Sequence, residues 1–180
     1  MGERTIFTSA KLFDGVNDTQ DGMTIVVEDG KIAAVGKDIA VQDGDQHIDL
    51  AGKTVIPGMT SGHYHAEYGG LRLADVGKFY LGTQYPPAYL AATAVQNLGW
   101  ALDSGITNVI GAGCSFDIDV SLNMAIQDGR MRGPRLKPCS THINTTANEN
   151  EPNWWVPAPA RDGGVHLRGG QQFVQAVQGE

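Results

Sequence analysis

The rhythm of apolar and polar residues changes once along this chain, at Pro57-Gly58. Before that point the apolar runs are short and bounded by turn residues. Thr5–Ala10 is rich in β-formers and leads to Phe13-Asp14-Gly15, a turn signal. Met23–Glu28 and Lys31–Gly36 flank Asp29-Gly30, a dipeptide suited to a type I′ turn, and together they predict a hairpin. His47–Leu50 and Lys53–Ile56 read as two more short strands around Ala51-Gly52. Residues 1–57 are therefore expected to form a small antiparallel β-module.

Past Pro57-Gly58 the spacing lengthens. Met59–His65 alternates and predicts a strand. Leu90, Ala94, Leu98 and Leu102 recur every four residues and predict a helix over 86–103, opened by Pro86-Pro87 and closed by Gly105. Ile106–Ala112 reads as a buried strand. Asp119–Asp128 reads as a second helix, with Leu122, Ala125 and Ile126 on one face and Gly129 as its stop. Arg135–Cys139 reads as a third strand, and Gln171–Gln178 as a last helix after a polar loop. Three strands alternating with three helices over 58–180 favour a parallel sheet with right-handed crossovers.

Composition narrows the function classes. The 180 residues carry 13 Lys and Arg against 20 Asp and Glu, a net charge of −7, which argues against a nucleic-acid or anionic-membrane partner. The 24 glycines follow no collagen period and point to many turns. Two cysteines, Cys114 and Cys139, cannot build a disulfide framework, so a reducing, cytoplasmic setting is expected. No run of apolar residues is long enough for a transmembrane helix, and Met1-Gly2-Glu3-Arg4 does not begin a signal peptide. Gly111-Ala112-Gly113 after a strand invites a dinucleotide fingerprint, but the third glycine position holds Phe116.

The chemistry concentrates at His63-Tyr64-His65. On a strand, residues i and i+2 share a face, so the two imidazoles project together. Two imidazoles so placed can share one divalent metal. The competing reading is two histidines that fell close by chance or that cap a turn. The pair ends the first strand of a β/α run, where such folds place their sites.

Val55-Ile56-Pro57-Gly58-Met59-Thr60-Ser61-Gly62-His63-Tyr64-His65 resembles the signature of the amidohydrolase superfamily. Val27–Gly36 and Asp49–Gly58 are similar to that family's small module and its lead-in to the barrel. Ser104–Val109 and Gly133–Leu136 are similar to the approaches to its second and third barrel strands. The resemblance is greatest to the branch of imidazolonepropionase-like enzymes and zinc-dependent dipeptidases. It departs at Ser61, where many members carry an acidic residue or Asn, and in a longer loop over 143–165.

The resemblance implies an α/β fold. Residues 1–57 would supply strands of a small β-sandwich, and residues 58–180 the first three units of a (β/α)₈ barrel. It implies one or two divalent ions, zinc first, on His63 and His65, and hydrolysis of an amide, lactam or peptide-like C–N bond by a metal-activated water. A complete barrel takes about 250 residues. The remaining ligands and the catalytic aspartate are therefore expected after residue 180, and no catalytic residue is named within it. His142, after the third strand, is a candidate pocket residue or a surface loop histidine. Trp154 and Trp155 are candidates for a hydrophobic substrate wall or for a loop anchor. Cys114 is expected to be a small buried residue. The expected partners are a small-molecule substrate and either further copies of the chain or the remaining C-terminal part of the enzyme. Two other readings stay open. One is a deaminase of the same superfamily, and the other is a catalytically silent fragment that needs a second polypeptide to complete the barrel.

Overall fold

The computed structural model describes residues 4–68, 85–140, 143–145 and 165–167. The chain divides into two compact units, Met1–Pro57 and Gly58–Glu180.

The first unit is one five-stranded sheet. Strands β1 (Arg4–Leu12), β2 (Gln20–Glu28) and β3 (Lys31–Gly36) form an antiparallel meander. The β2–β3 turn has positive φ at both Asp29 and Gly30, as a type I′ hairpin requires. Strands β4 (Gln46–Asp49) and β5 (Thr54–Val55) depart from the expected antiparallel module, because both run parallel to β1. Residues 37–45 carry the chain from β3 to the free edge of β1, so β4 arrives in the same direction as β1. Strands of four and two residues show too little alternation for their direction to be read from sequence. A bulge makes room for both. The β1–β2 register shifts around Ala10, and Ser9 has φ 60°. β1 therefore pairs with β4 over Thr5–Thr8 and with β5 at Lys11 and Leu12.

Side chains hold the loops of this unit. Asp14 accepts hydrogen bonds from the Val16 and Asn17 backbone N–H groups (2.9 and 2.8 Å) and from Asn17 Nδ2 (2.8 Å). The Asn17 bonds lead in holding its carboxyl down at about 2. The Arg4 guanidinium bridges Glu28 and Asp45. On one face of the sheet Ile6 and Val26 are partners and fully buried. On the other face Phe7, Ile25 and Val35 form a row across three strands and, with Val27, Ile32 and Leu12, line an apolar cavity of about 690 Å³. A second sheet, which a sandwich needs, is not among the described residues of this unit.

The second unit alternates. β6 (Met59–Tyr64), β7 (Ile106–Gly111) and β8 (Arg135–Lys137) form a parallel sheet in the order β6-β7-β8. Helices α1 (Pro87–Asp103) and α2 (Ile118–Gln127) connect them. α1 buries Leu90, Ala94, Leu98 and Ala101. Ala101 replaces the expected Leu102 because the helix turns at about 3.6 residues, so a four-residue spacing drifts off the face within three turns. Gly105, at φ 86°, closes the helix, and its carbonyl accepts a bond from Met59 N (3.0 Å) at the start of β6. The α1 face packs with Val109, Cys114, Ile118, Leu122 and Leu136 into the core.

Strand ends and one loop differ from expectation, β7 by the single residue Ala112. β6 stops at Tyr64 rather than His65, and β8 stops at Lys137 rather than Cys139. In both places the chain leaves the sheet to meet side-chain partners. Within the stretch expected to be a polar loop, β9 (Ile143–Thr145) and β10 (Val165–Leu167) pair in parallel. The helix expected over 171–178 lies outside the described residues, so two of the three expected strand–helix units are described.

A Cβ on Gly58 would lie 2.1 Å from Thr107 Oγ1 and 2.8 Å from Thr107 Cβ, so even a methyl group has no room where β6 begins. Gly58→Ala is expected to cost about 1–3 kcal/mol in urea denaturation, as overpacking does. The double variant Gly58→Ala/Thr107→Gly should recover part of that loss. A wild-type midpoint for Gly58→Ala would contradict this packing.

Candidate functional site

In a parallel sheet all strands end on the same side. The C-terminal ends of β6, β7 and β8 thus bring His63 and His65, Cys114 and Ser115, and Cys139 and Ser140 to one edge of the second unit. His63 is exposed near the end of β6, and His65 is half-buried just past it. Their Nε2 atoms face each other at 3.2 Å, with the rings edge to face at 77°. His65 Nδ1 lies 3.0 Å from the Gly113 carbonyl oxygen. A carbonyl only accepts, so Nδ1 carries the hydrogen and the neutral ring presents its Nε2 lone pair toward His63. The Tyr68 ring lies flat on His65, with centroids 4.4 Å apart.

This pair fits a metal. Two nitrogens at about 2.0–2.1 Å from one tetrahedral ion stand about 3.3 Å apart, close to the separation that the two Nε2 atoms already have. Among the described residues no group of three His, Cys, Asp or Glu side chains is arranged to hold a metal, so the pair alone is an incomplete set. Glu67, two residues on, does not complete it. Its Oε1 accepts a bond from Ser115 N (3.0 Å) and its Oε2 from the Cys114 thiol (3.1 Å), all of them buried.

Tyr64 points away from the pair, and its hydroxyl donates to the Asn97 backbone carbonyl (3.0 Å). Burial raises the pKa of its phenol. The Asn97 amide nitrogen, on α1, donates to the carbonyls of both Ala66 and Tyr68, each at 2.7 Å. Burial, and then the Glu67 carboxylate, push the Cys114 thiol far above its ordinary value.

The neighbouring strand ends are tied just as closely. Buried Asp119, at the start of α2, accepts bonds through Oδ2 from Cys139 N (2.8 Å) and Ser140 N (3.0 Å). It reaches them across Gly111, where a Cβ would lie 2.9 Å from Cys139 N and 3.0 Å from Asp119 Oδ2. The Ser140 carbonyl accepts from Cys114 N (2.8 Å), and the Ser140 hydroxyl donates to Asp117 (2.5 Å). Phe116, Asp117 and Ser140 all have φ between 54° and 66°, a backbone region that non-glycine residues adopt at a cost.

Of the residues singled out by sequence, His63 and His65 come together. Cys114 is buried in the core, and His47 is exposed, with Thr8 Oγ1 at 2.8 Å. His142, Trp154 and Trp155 lie outside the described residues. Sequence reading missed Glu67, Asn97 and Asp119. Each had a signal: Glu67 continues the His63, His65 alternation, while Asn97 and Asp119 are polar residues on the apolar faces of their helices.

No family model matches the chain. Imidazolonepropionase from Mycolicibacterium smegmatis is 36% identical over 69 residues, which cover 38% of this chain and 17% of that protein. Dihydroorotase from Trichlorobacter lovleyi is 40% identical over 61 residues, 34% of this chain and 14% of that protein. Among solved structures, a Xaa-Pro dipeptidase with methionine in its active site superposes with a TM-score of 0.79 at 27% identity. That match covers 98% of this chain and 44% of that one. The chain thus spans less than half the length of the proteins it matches.

The surroundings of the two cysteines make opposite demands. The thiolate is the reactive form, and Cys114 is buried with its ionisation suppressed, whereas Cys139 is exposed. Iodoacetamide at pH 8 should therefore alkylate Cys139 and spare Cys114 in the folded protein, and label both after unfolding. Peptide mapping by mass spectrometry reads this directly, and equal labelling in the folded state would contradict the Cys114–Glu67 contact.

Proposed function

The chain corresponds to the N-terminal part of the amidohydrolase superfamily, and on that premise we propose that it belongs to a metal-dependent hydrolase acting on a C–N bond of a small amide or peptide-like substrate. One observation carries the proposal: His63 Nε2 and His65 Nε2 stand 3.2 Å apart at the C-terminal end of β6. Superposition with less than half of the Xaa-Pro dipeptidase supports the view that β6, β7 and β8 are the first strands of a (β/α)₈ barrel. The apolar cavity on the sheet of the first unit supports further strands covering that face, as in a sandwich.

His63 and His65 would hold a divalent ion, zinc by the nitrogen chemistry of the pair, and the further ligands would come from outside the described residues. When bound, such an ion supplies Lewis-acid polarisation and lowers the pKa of water, so that attack on a carbonyl carbon proceeds near neutral pH. The chain's own residues make this possible. The Gly113 carbonyl keeps the proton of His65 on Nδ1, so that Nε2 carries the lone pair that would ligate. His63 would ligate through Nε2 with its hydrogen on Nδ1. Tyr64 points away and braces the strand against α1, so its hydroxyl does not compete for the site. Protonation of either imidazole removes a ligand, so metal occupancy falls as the pH is lowered.

The test is metal content and turnover in the full-length protein, with His63→Ala and His65→Ala beside wild type. Inductively coupled plasma mass spectrometry should find about one or two divalent ions per wild-type chain and a large loss in each variant. Hydrolysis of a panel of dipeptides, N-acyl amino acids and lactams should fall with it. Wild-type metal content in both variants would overturn the assignment of the pair.

A further inference from the structure

Past Tyr64 the chain leaves the ladder, and His65 sits on a short turn. A long backbone bond, Tyr68 N to the His65 carbonyl at 3.5 Å, closes the turn. Two side chains hold the turn in place beneath the imidazole, one of the turn's own and one from α1. Glu67 ties the turn to Cys114 and Ser115, next to the Gly113 carbonyl that accepts from His65 Nδ1. Asn97 ties the turn to α1 through two 2.7 Å bonds, and one of them fixes Tyr68, whose ring lies flat against His65.

We infer that Asn97 is a positioning residue for the His63–His65 pair, which sets metal affinity through the 65–68 turn without touching the metal. This inference rests on the metal-site reading above. Its chemistry is specific to a carboxamide. Both partners of Asn97 Nδ2 are carbonyl oxygens, so the position needs an uncharged group with two hydrogens to give. Aspartate has the same shape but would direct a carboxylate oxygen at two carbonyl oxygens. Alanine removes the bonds without adding repulsion. The order of effect is therefore Asn97→Asp worse than Asn97→Ala. A packing role predicts the reverse, because aspartate preserves the volume of the side chain and alanine does not.

The experiment uses the full-length protein. Zinc affinity is measured by competition with a chromophoric chelator, and the imidazole ¹⁵N shifts of metal-free protein are recorded by NMR. Wild type should bind zinc, and its metal-free His65 should show the Nδ1–H tautomer. Asn97→Asp should weaken zinc binding by about 10–100-fold, as loss of an orienting partner does, and should shift His65 toward averaged tautomers. Asn97→Ala should do less of both. Equal affinity in all three proteins, or a greater loss in Asn97→Ala, would overturn the inference. Averaged His65 tautomers in metal-free wild type would overturn it too, even if Asn97→Asp does not fold. A wild-type protein that binds no zinc would sink the metal reading instead, and the tautomer comparison would still test the turn.

Discussion

The hydrogen bond from His65 Nδ1 to the Gly113 carbonyl decides what the end of β6 can do. An imidazole on a free turn would sample both tautomers and many rotamers. This bond selects one tautomer and aims Nε2 at His63. It also joins the chain past β6 to the chain past β7, so the site is held by two strand ends at once. The other contacts of the site follow from it. Glu67 anchors the same β7 loop, and Asn97 anchors the other end of the turn.

The two buried carboxylates beside the site are structural. Glu67 and Asp119 sit where a first reading would seek ligands, yet both spend their oxygens on backbone N–H groups, with the Cys114 thiol as one further donor to Glu67. Burying a carboxylate is costly unless several donors meet it, and here each meets more than one. What they secure is loop shape. Phe116, Asp117 and Ser140 hold left-handed backbone conformations at the ends of β7 and β8, and the Asp119 and Asp117 bonds keep them there. Rigid loops at strand ends are what a precise site requires.

Much of this was legible in the sequence. The Leu90, Ala94, Leu98 stripe marked α1, Asp29-Gly30 marked its hairpin, and His63-Tyr64-His65 marked the pair. The directions of β4 and β5 were not legible, because strands that short carry no usable period and their pairing depends on a bulge at Ser9 in another strand. Asn97 and Glu67 were also passed over. A polar residue on an apolar helix face shows only that something must satisfy it. That the partners of Asn97 are the Ala66 and Tyr68 carbonyls is a fact about two chain segments about thirty residues apart, and local pattern does not reach that far.

Gly111 carries a last consequence. Asp119 reaches the N–H groups of Cys139 and Ser140 over the space where a side chain at 111 would stand. Positions 111 and 119 therefore do not vary independently. Any side chain at 111 crowds both Cys139 N and the carboxylate, and without the carboxylate two N–H groups lose their acceptor. Among descendants of this chain, Gly111 and Asp119 should be kept together or lost together. A lineage that replaced them would have to rebuild the passage from β8 into its loop by another route. An absent side chain thus acts as an inherited constraint, as binding on later sequence change as any residue that touches a ligand.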